Sequence, residues 1–214
     1  MYSFTVLEWQ KTKKPKSEYL YNCSEFDRLC DGWVPFTIGM GYKFMNIQNI
    51  ELSQIGNHEN LVLCAISPWT DKNRRPTGQN RESILHKLQQ NKIYNCTLHE
   101  NDYFHSLPNY KFVVSPEGNG VDCHRHYETL MAGCIPIVEE HEGIRQKYEG
   151  CPILFTKDYS EITPEYLEQK YSEMIYQVYD FSKLYLSTYS PEVQTEIKTN
   201  GNYWGNRLLH RSWY

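Results

Sequence analysis

The stretch at residues 110–140, YKFVVSPEGNGVDCHRHYETLMAGCIPIVEE, sets the fold class of this chain and is called the central stretch below. Its first residues, 110–115, form an apolar run that is typical of a buried strand. A loop with two glycines follows, and residues 124–132 have helical character. Residues 135–138 form a second short apolar run. This order predicts a right-handed βαβ unit with two parallel strands.

The same alternation continues on both sides of the central stretch. Before it, residues 61–67 (LVLCAIS) predict a buried strand, residues 80–90 a helix, and residues 92–98 a further strand. After it, residues 151–155 (CPILF) predict a strand, and residues 163–189 predict one long helix. The chain is therefore expected to have an α/β fold, with a Rossmann-like parallel sheet flanked by helices.

Three parts are expected along the 214 residues. Residues 1–60 are weakly patterned and predict an N-terminal extension or a reduced first domain. Residues 61–189 would form the Rossmann-like domain, and residues 190–214 a C-terminal helix followed by an aromatic tail. Strands are expected near residues 2–9 and 34–42. The tail contains Tyr203, Trp204 and Trp213, and we expect it to pack on its own domain or on a partner.

Composition narrows the classes of function. The formal net charge of −4 and a pI near 6.1 argue against a nucleic-acid-binding surface. No apolar run is long enough to span a membrane, and no signal peptide is recognisable, so a cytoplasmic setting is expected, viral or host-cell cytosol included. A fragment of a longer Golgi protein would have the same features. Seven cysteines at irregular spacing, with no CxxC pair, argue against a zinc site or a disulfide scaffold.

The loop and helix of the central stretch carry the chemistry. Gly118 and Gly120 let backbone amides approach a ligand closely. The helix that follows offers unpaired N–H groups and a partial positive charge at its N-terminus. His124 and Arg125 lie in its first turn. A cation there is unfavourable to the helix dipole, which makes sense if an anion such as a diphosphate binds at this point. Glu128, one turn further, could accept hydrogen bonds from both hydroxyls of a ribose.

A second basic cluster follows the strand at residues 61–67. It consists of Lys72, Arg74, Arg75 and Arg81. Because all strand-to-helix junctions of a parallel sheet lie at one edge, these side chains are expected near the same crevice. Arg81 or Arg75 would then neutralise a diphosphate through its planar set of donors. The alternative is a solvated basic loop.

The central stretch resembles the donor-binding motif of exostosin-like glycosyltransferases, and less closely the corresponding pattern of fucosyltransferases. The resemblance covers about 30 residues strongly and the rest of the sheet only in general layout. It is carried by Ser115, Pro116, Glu117, Gly118, Asp122, Arg125, Glu128, Leu130, Gly133, Cys134, Ile135, Pro136 and Val138.

This resemblance implies the C-terminal, donor-binding domain of a GT-B-type enzyme. Such an enzyme moves a sugar from a UDP- or GDP-linked donor, with xylose and fucose as candidates, to a hydroxyl of a glycan or glycoprotein. No metal and no cofactor beyond the donor substrate are expected, since no Asp-x-Asp triplet is present. The donor-binding residues would be Arg74, Arg75, Arg81, Ser115, Glu117, Gly118, Asn119, Gly120, His124, Arg125 and Glu128.

The catalytic base stays unassigned, with Glu117, Asp122 and Asp31 as candidates. Two other functions are open. The chain could be a non-catalytic nucleotide-sugar-binding subunit whose aromatic tail docks on a protein partner that binds the acceptor. It could also be an unrelated Rossmann-like enzyme such as a methyltransferase, which the absence of a Gly-x-Gly-x-x-Gly pattern after the first clear strand disfavours.

Overall fold

The computed structural model describes residues 37–39, 58–195 and 197–199. Within them, four strands form one parallel sheet, and neighbours in the sheet are also neighbours in the chain. The strands are β1 (Asn60–Leu63), β2 (Tyr110–Val114), β3 (Ile135–Glu139) and β4 (Leu154–Thr156). The predicted parallel sheet is therefore confirmed.

Helices connect and follow the strands. They are α1 (Arg81–Gln90), α2 (Glu100–Ser106), α3 (His124–Met131), α4 (Glu142–Lys147) and α5 (Pro164–Met174). Short 3-10 helices lie at Leu107–Asn109, Tyr159–Glu161, Ser182–Leu184 and Leu186–Thr188. Residues 191–195 and 197–199 are also helical.

The sheet has a hydrophobic core on each face. On one face, Ile84 and Leu88 of α1 and Leu167 of α5 pack with Phe112 and Ile135 of the sheet. On the other face, α2, α3 and α4 cover the sheet. Val113 and Val138 pack against them, because successive side chains of a strand point to opposite faces of the sheet. Helices on both faces of a parallel sheet make the three-layer α/β arrangement that the sequence predicts.

Local chemistry fixes where several helices begin and end. The Asn80 side chain accepts a hydrogen bond from the Ser83 N–H, and the Ser83 hydroxyl accepts one from the Asn80 N–H, so both N–H groups at the start of α1 are satisfied. Thr163 caps α5, with Pro164 at the first helical position. Gly133 follows α3 with φ of +77°, a conformation that glycine adopts without strain.

Two predicted elements are wrong. Residues 92–98 form no strand. Here the Asn95 side chain, and not a strand backbone, bonds to the Ile66 backbone: it accepts from the Ile66 N–H and donates to the Ile66 carbonyl. The helix predicted at residues 163–189 ends at Met174. Beyond Met174 the chain no longer packs on the core, since Tyr176 and Val178 are exposed. The Asp180 N–H then donates to the carbonyl of Gly150. The short helices α2 and α4 were not predicted.

Some expectations concern residues outside the described ranges. These are the strand at residues 2–9, most of the strand at 34–42, the candidate base Asp31 and the aromatic tail with Tyr203, Trp204 and Trp213. In the described part of the chain, every helix is too short or too polar to cross a lipid bilayer.

Candidate functional site

A cavity of about 890 Å³ opens beyond the carboxyl ends of β1 and β2. This is the edge where parallel α/β sheets bind ligands, and the volume suits a small organic molecule. Its wall is largely apolar, with Ile38, Ala65, Leu98 and Phe104 among the lining residues. Polar groups approach it from the loop after β2 and from the first turns of α3.

The cavity brings together eight of the predicted donor-site residues and candidate bases. The lining includes Arg81, Gly118, Asn119, Gly120, Asp122, His124, Arg125 and Glu128. Four other predicted residues lie beside the cavity without lining it: Arg74, Arg75, Ser115 and Glu117. The basic cluster and the glycine loop therefore share one edge of the sheet, as the parallel topology requires.

The N-terminus of α3 lies at the cavity without a side-chain cap. Cys123 occupies the cap position, and its side chain makes no capping hydrogen bond, whereas Asn80, His141 and Thr163 cap α1, α4 and α5. The first-turn N–H groups of a helix favour an anion through their donors and through the helix dipole. His124, also in this turn, donates from Nδ1 to the carbonyl of Gly39 at 2.9 Å.

Arg125 places a cation with an unsatisfied donor beside this helix end. Its Nε donates to the Tyr103 hydroxyl at 3.0 Å, and the guanidinium carbon lies 5.2 Å from the centre of the Tyr103 ring. Its Nη1 is buried and has no hydrogen-bond partner among the described residues. Burial lowers the pKa of Arg125, but Tyr103 and other neighbours outweigh that effect and the net shift is upward. Buried donors are almost always paired, so this nitrogen is a candidate contact for an acceptor beyond the described residues.

Glu128 lies one turn after Arg125 and also lines the cavity. Only 5% of the residue is exposed, so the part that reaches the cavity is small. The carboxylate contributes to the upward pKa shift of Arg125, which places the two charges near one another. One helix thus contributes both an arginine and a glutamate to the lining of the cavity.

The Arg81 guanidinium donates to backbone carbonyls of the protein, whereas the sequence predicts that it contacts a diphosphate. Its Nε donates to the Glu117 carbonyl at 2.7 Å, its Nη2 to the Pro116 carbonyl at 3.1 Å, and its Nη1 to the Ser67 carbonyl at 3.3 Å. Only 6% of the residue is exposed, and burial lowers the pKa of its guanidinium. Arg81 therefore joins the loops that follow β1 and β2, and its donors are committed to backbone carbonyls.

Arg74 and Arg75 are also paired inside the protein. Arg74 Nη2 lies 2.5 Å from a Glu117 carboxylate oxygen, and Arg75 lies 2.8 Å from Asp71 and 3.0 Å from Glu139. Burial lowers the pKa of Arg75, but Glu139 and Glu117 outweigh it and the net shift is upward. Such buried pairs are costly to break one partner at a time. Three of the four residues of the basic cluster, Arg74, Arg75 and Arg81, are thus engaged inside the protein, while Lys72 remains exposed.

Two acids that complete this network were not predicted from the sequence. Glu139 is the last residue of β3, and Asp71 lies in the loop after β1. Glu139 accepts from the Glu117 N–H at 3.1 Å and from the Tyr159 hydroxyl at 3.3 Å. For Glu139, the available signal was a charged residue at the end of an apolar strand, because every strand of this sheet ends at the same edge.

The two candidate bases within the described residues are both held by protein donors. Glu117 pairs with Arg74, and its side chain is 12% exposed. Asp122 accepts from the Ile38 N–H at 3.0 Å and from the Tyr148 hydroxyl at 2.7 Å, and Lys147 Nζ lies 3.7 Å away. Each carboxylate is therefore already engaged by donors from the protein.

Ser115 and Cys123, the hydroxyl and thiol near the loop, are also accounted for. Ser115 is fully buried, and its hydroxyl lies 2.6 Å from Nδ1 of His126. Since Nε2 of His126 faces the Val121 carbonyl at 3.3 Å, Nε2 carries the proton and Nδ1 accepts from Ser115. Burial lowers the pKa of His126 and raises the pKa of the Cys123 thiol to about 12, so both are neutral at pH 7. Ser115 is therefore inaccessible, and Cys123, which lines the cavity and is partly exposed, carries a protonated thiol.

Comparison with protein-family models finds no match for this chain, and comparison with curated proteins finds no similar sequence. Among residues 37–39, 58–195 and 197–199, no three His, Cys, Asp or Glu side chains group closely enough to hold a metal ion. The five described cysteines are free thiols. What the cavity binds must therefore be inferred from its own chemistry.

Proposed function

We propose that this chain is a glycosyltransferase that binds a nucleoside diphosphate sugar in the cavity beyond β1 and β2, without a metal. The observation that supports this most strongly is the combination at α3. The uncapped N-terminus of α3, Arg125 and Glu128 all line one cavity, and Arg125 has a buried nitrogen with no acceptor in the described part of the chain. A diphosphate joined to a ribose presents an anion and two hydroxyl donors that complement these groups.

In this proposal the nucleotide lies along the first turns of α3. The diphosphate accepts hydrogen bonds from the N–H groups at the start of the helix and from Arg125. Glu128 accepts from the ribose hydroxyls, and the apolar wall near Leu98 and Phe104 contacts the nucleobase. Each group is the chemical complement of the part of the ligand assigned to it.

The same groups would support the transfer step. An acceptor hydroxyl attacks the anomeric carbon and gives up its proton to a base or to water. The bond from that carbon to the diphosphate oxygen breaks, and negative charge accumulates on the departing diphosphate. Donors that are fixed before the reaction stabilise such developing charge most effectively. Arg125 and the α3 amides would do so here. We assign no catalytic base, because protein donors hold the carboxylates of Glu117 and Asp122.

That last observation favours a second candidate, a non-catalytic nucleotide-sugar-binding subunit. If both candidate carboxylates remain engaged, the base must come from another protein or from residues outside the described ranges. The subunit would bind the same donor in the same cavity, and a partner would supply the acceptor site and the base.

A ligand panel tests the proposal. Thermal unfolding of the full chain would be measured with UDP-, GDP- and CMP-sugars and with S-adenosylmethionine. We expect selective stabilisation by UDP- or GDP-sugars, because a ligand that binds only the folded state stabilises it by RT ln(1 + L/Kd), where L is the free ligand concentration. Stabilisation by S-adenosylmethionine alone, or by no nucleotide, would contradict it. Sugar release or transfer from the stabilising donor separates the enzyme from the subunit.

A further inference from the structure

Trp69 is a large apolar side chain exposed at the rim of the cavity. It lies in the loop after β1, lines the cavity, and is 60% exposed. The other large apolar side chains that are strongly exposed in the described ranges, Tyr94, Tyr176 and Val178, do not line this cavity. An exposed indole beside a binding cavity is better explained by a ligand than by packing within the chain.

Contacts within the loop hold Trp69 in position. The Lys72 N–H donates to the Trp69 carbonyl at 3.3 Å, and the Lys72 ammonium lies 5.0 Å from the centre of the indole ring. The Lys72 ammonium therefore lies over one face of the indole, so a ligand that stacks on Trp69 would use the opposite face.

The loop that contains Trp69 lies beside the glycine loop. Thr70, the residue after Trp69, is next to Gly118: a Cβ added to that glycine would be 3.4 Å from the threonine methyl. Arg125 and Glu128 line the same cavity from α3. If the ribose contacts Glu128 and the diphosphate contacts the α3 N-terminus, the sugar end of the donor points toward Gly118 and Trp69.

We propose that Trp69 is the platform on which a pyranose ring of the glycan acceptor stacks. This rests on the proposed glycosyltransferase function. The axial C–H groups of a pyranose carry a partial positive charge and pack on the electron-rich face of an indole. The face of one indole is about the size of one sugar ring and far smaller than a protein interface.

Saturation-transfer NMR on the full chain tests this assignment. The probes are methyl β-D-glucopyranoside, methyl β-D-galactopyranoside, methyl α-D-mannopyranoside and methyl β-D-xylopyranoside, each measured with saturating UDP and then with saturating GDP. The variants are Trp69→Ala, Trp69→Phe and, as the matched control, Tyr176→Ala, which removes an aromatic ring that is 85% exposed and lies away from the cavity.

The expected result is saturation of the axial ring protons of at least one glycoside by the wild-type chain. Trp69→Phe and Tyr176→Ala should keep that signal, and Trp69→Ala should lose most of it. Equal signals for wild type and Trp69→Ala, or no signal for any glycoside, would overturn the assignment. UDP and GDP binding, measured by calorimetry on the wild-type chain and on Tyr176→Ala, reports separately on the proposed function.

Discussion

Arg81 donates a hydrogen bond from Nε to the backbone carbonyl of Glu117 across 2.7 Å, although the two residues lie 36 positions apart in the chain. The same guanidinium reaches the carbonyls of Pro116 and Ser67. It therefore fixes the loop after β2 against the loop after β1, and the cavity lies between them. Arg81 shapes the candidate site by positioning backbone.

Arg81→Met is expected to lower the free energy of unfolding by about 3 kcal/mol. The variant leaves three carbonyls without the charged donor that they share, and two of these hydrogen bonds are buried. Urea unfolding measures the change. Arg145→Met is the matched control, because its side chain is 50% exposed and pairs with Glu140 at the surface, so it should cost less than about 1 kcal/mol. Equal losses would show that Arg81 has no special structural role.

Gly118→Ala and Gly78→Ala should lower stability by similar amounts, about 1 kcal/mol each, for different reasons. A Cβ at Gly118 would meet Arg81 Nη2 at 3.1 Å, whereas Gly78 has open space around it but a φ of +78°. Of these two glycines, Gly118 alone lines the cavity. Calorimetry should therefore show weaker UDP or GDP binding for Gly118→Ala alone. The same affinity for both variants would contradict the proposed placement of the nucleotide.

Arg125→Ala should weaken binding of UDP or GDP about tenfold more than binding of the corresponding nucleoside, because the guanidinium is assigned to the diphosphate and not to the base or ribose. Isothermal calorimetry with both ligands gives the two ratios, and Arg145→Ala serves as a control for the loss of an arginine. Equal losses for nucleotide and nucleoside would point to a structural role with Tyr103.

Glu128→Gln should weaken UDP or GDP binding by about 1–3 kcal/mol, because a neutral amide is a poorer acceptor for two ribose hydroxyls. The comparison with 2′-deoxy nucleotides makes the test specific: the variant should lose much less affinity for them than for the ribonucleotide. Glu82→Gln, on the exposed first turn of α1, is the control. A loss that is the same for ribo- and deoxyribonucleotides would remove the ribose assignment.

His126 should make the fold less stable as the pH falls from about 7 to 5. Burial lowers its pKa below the ordinary value of 6.5, so the unfolded chain binds a proton that the folded chain does not. The stability that neutral His126 contributes is fully present above pH 6.5. It is lost as the pH falls toward the pKa of the folded state, at a rate of at most about 1.4 kcal/mol per pH unit.

Urea unfolding at several pH values measures this effect. The slope for the wild type minus the slope for His126→Gln isolates the contribution of His126 from that of the other histidines. Identical slopes would show that this side chain is not buried in the neutral form. Because Ser115 donates to Nδ1, the variant should also lose stability that does not depend on pH.

The parallel sheet, α3 and the position of the glycine loop could all be predicted from the amino-acid pattern alone. Apolar runs at 110–114 and 135–139 leave few alternatives to buried parallel strands, and strand ends of one sheet necessarily share an edge. This is why Arg81, Gly118 and Glu128 could be placed near one cavity without coordinates.

What each of these charges contacts depends on packing between distant segments, and it became known only with the folded chain. Arg74, Arg75 and Arg81 look alike in sequence as anion-binding side chains, but Asp71, Glu117 and Glu139 pair with two of them and loop carbonyls occupy the third. Of the four arginines, Arg125 keeps a buried nitrogen with no acceptor among the described residues. A hydrogen bond depends on a few tenths of an ångström between segments far apart in the chain, and spacing along the sequence does not carry that information.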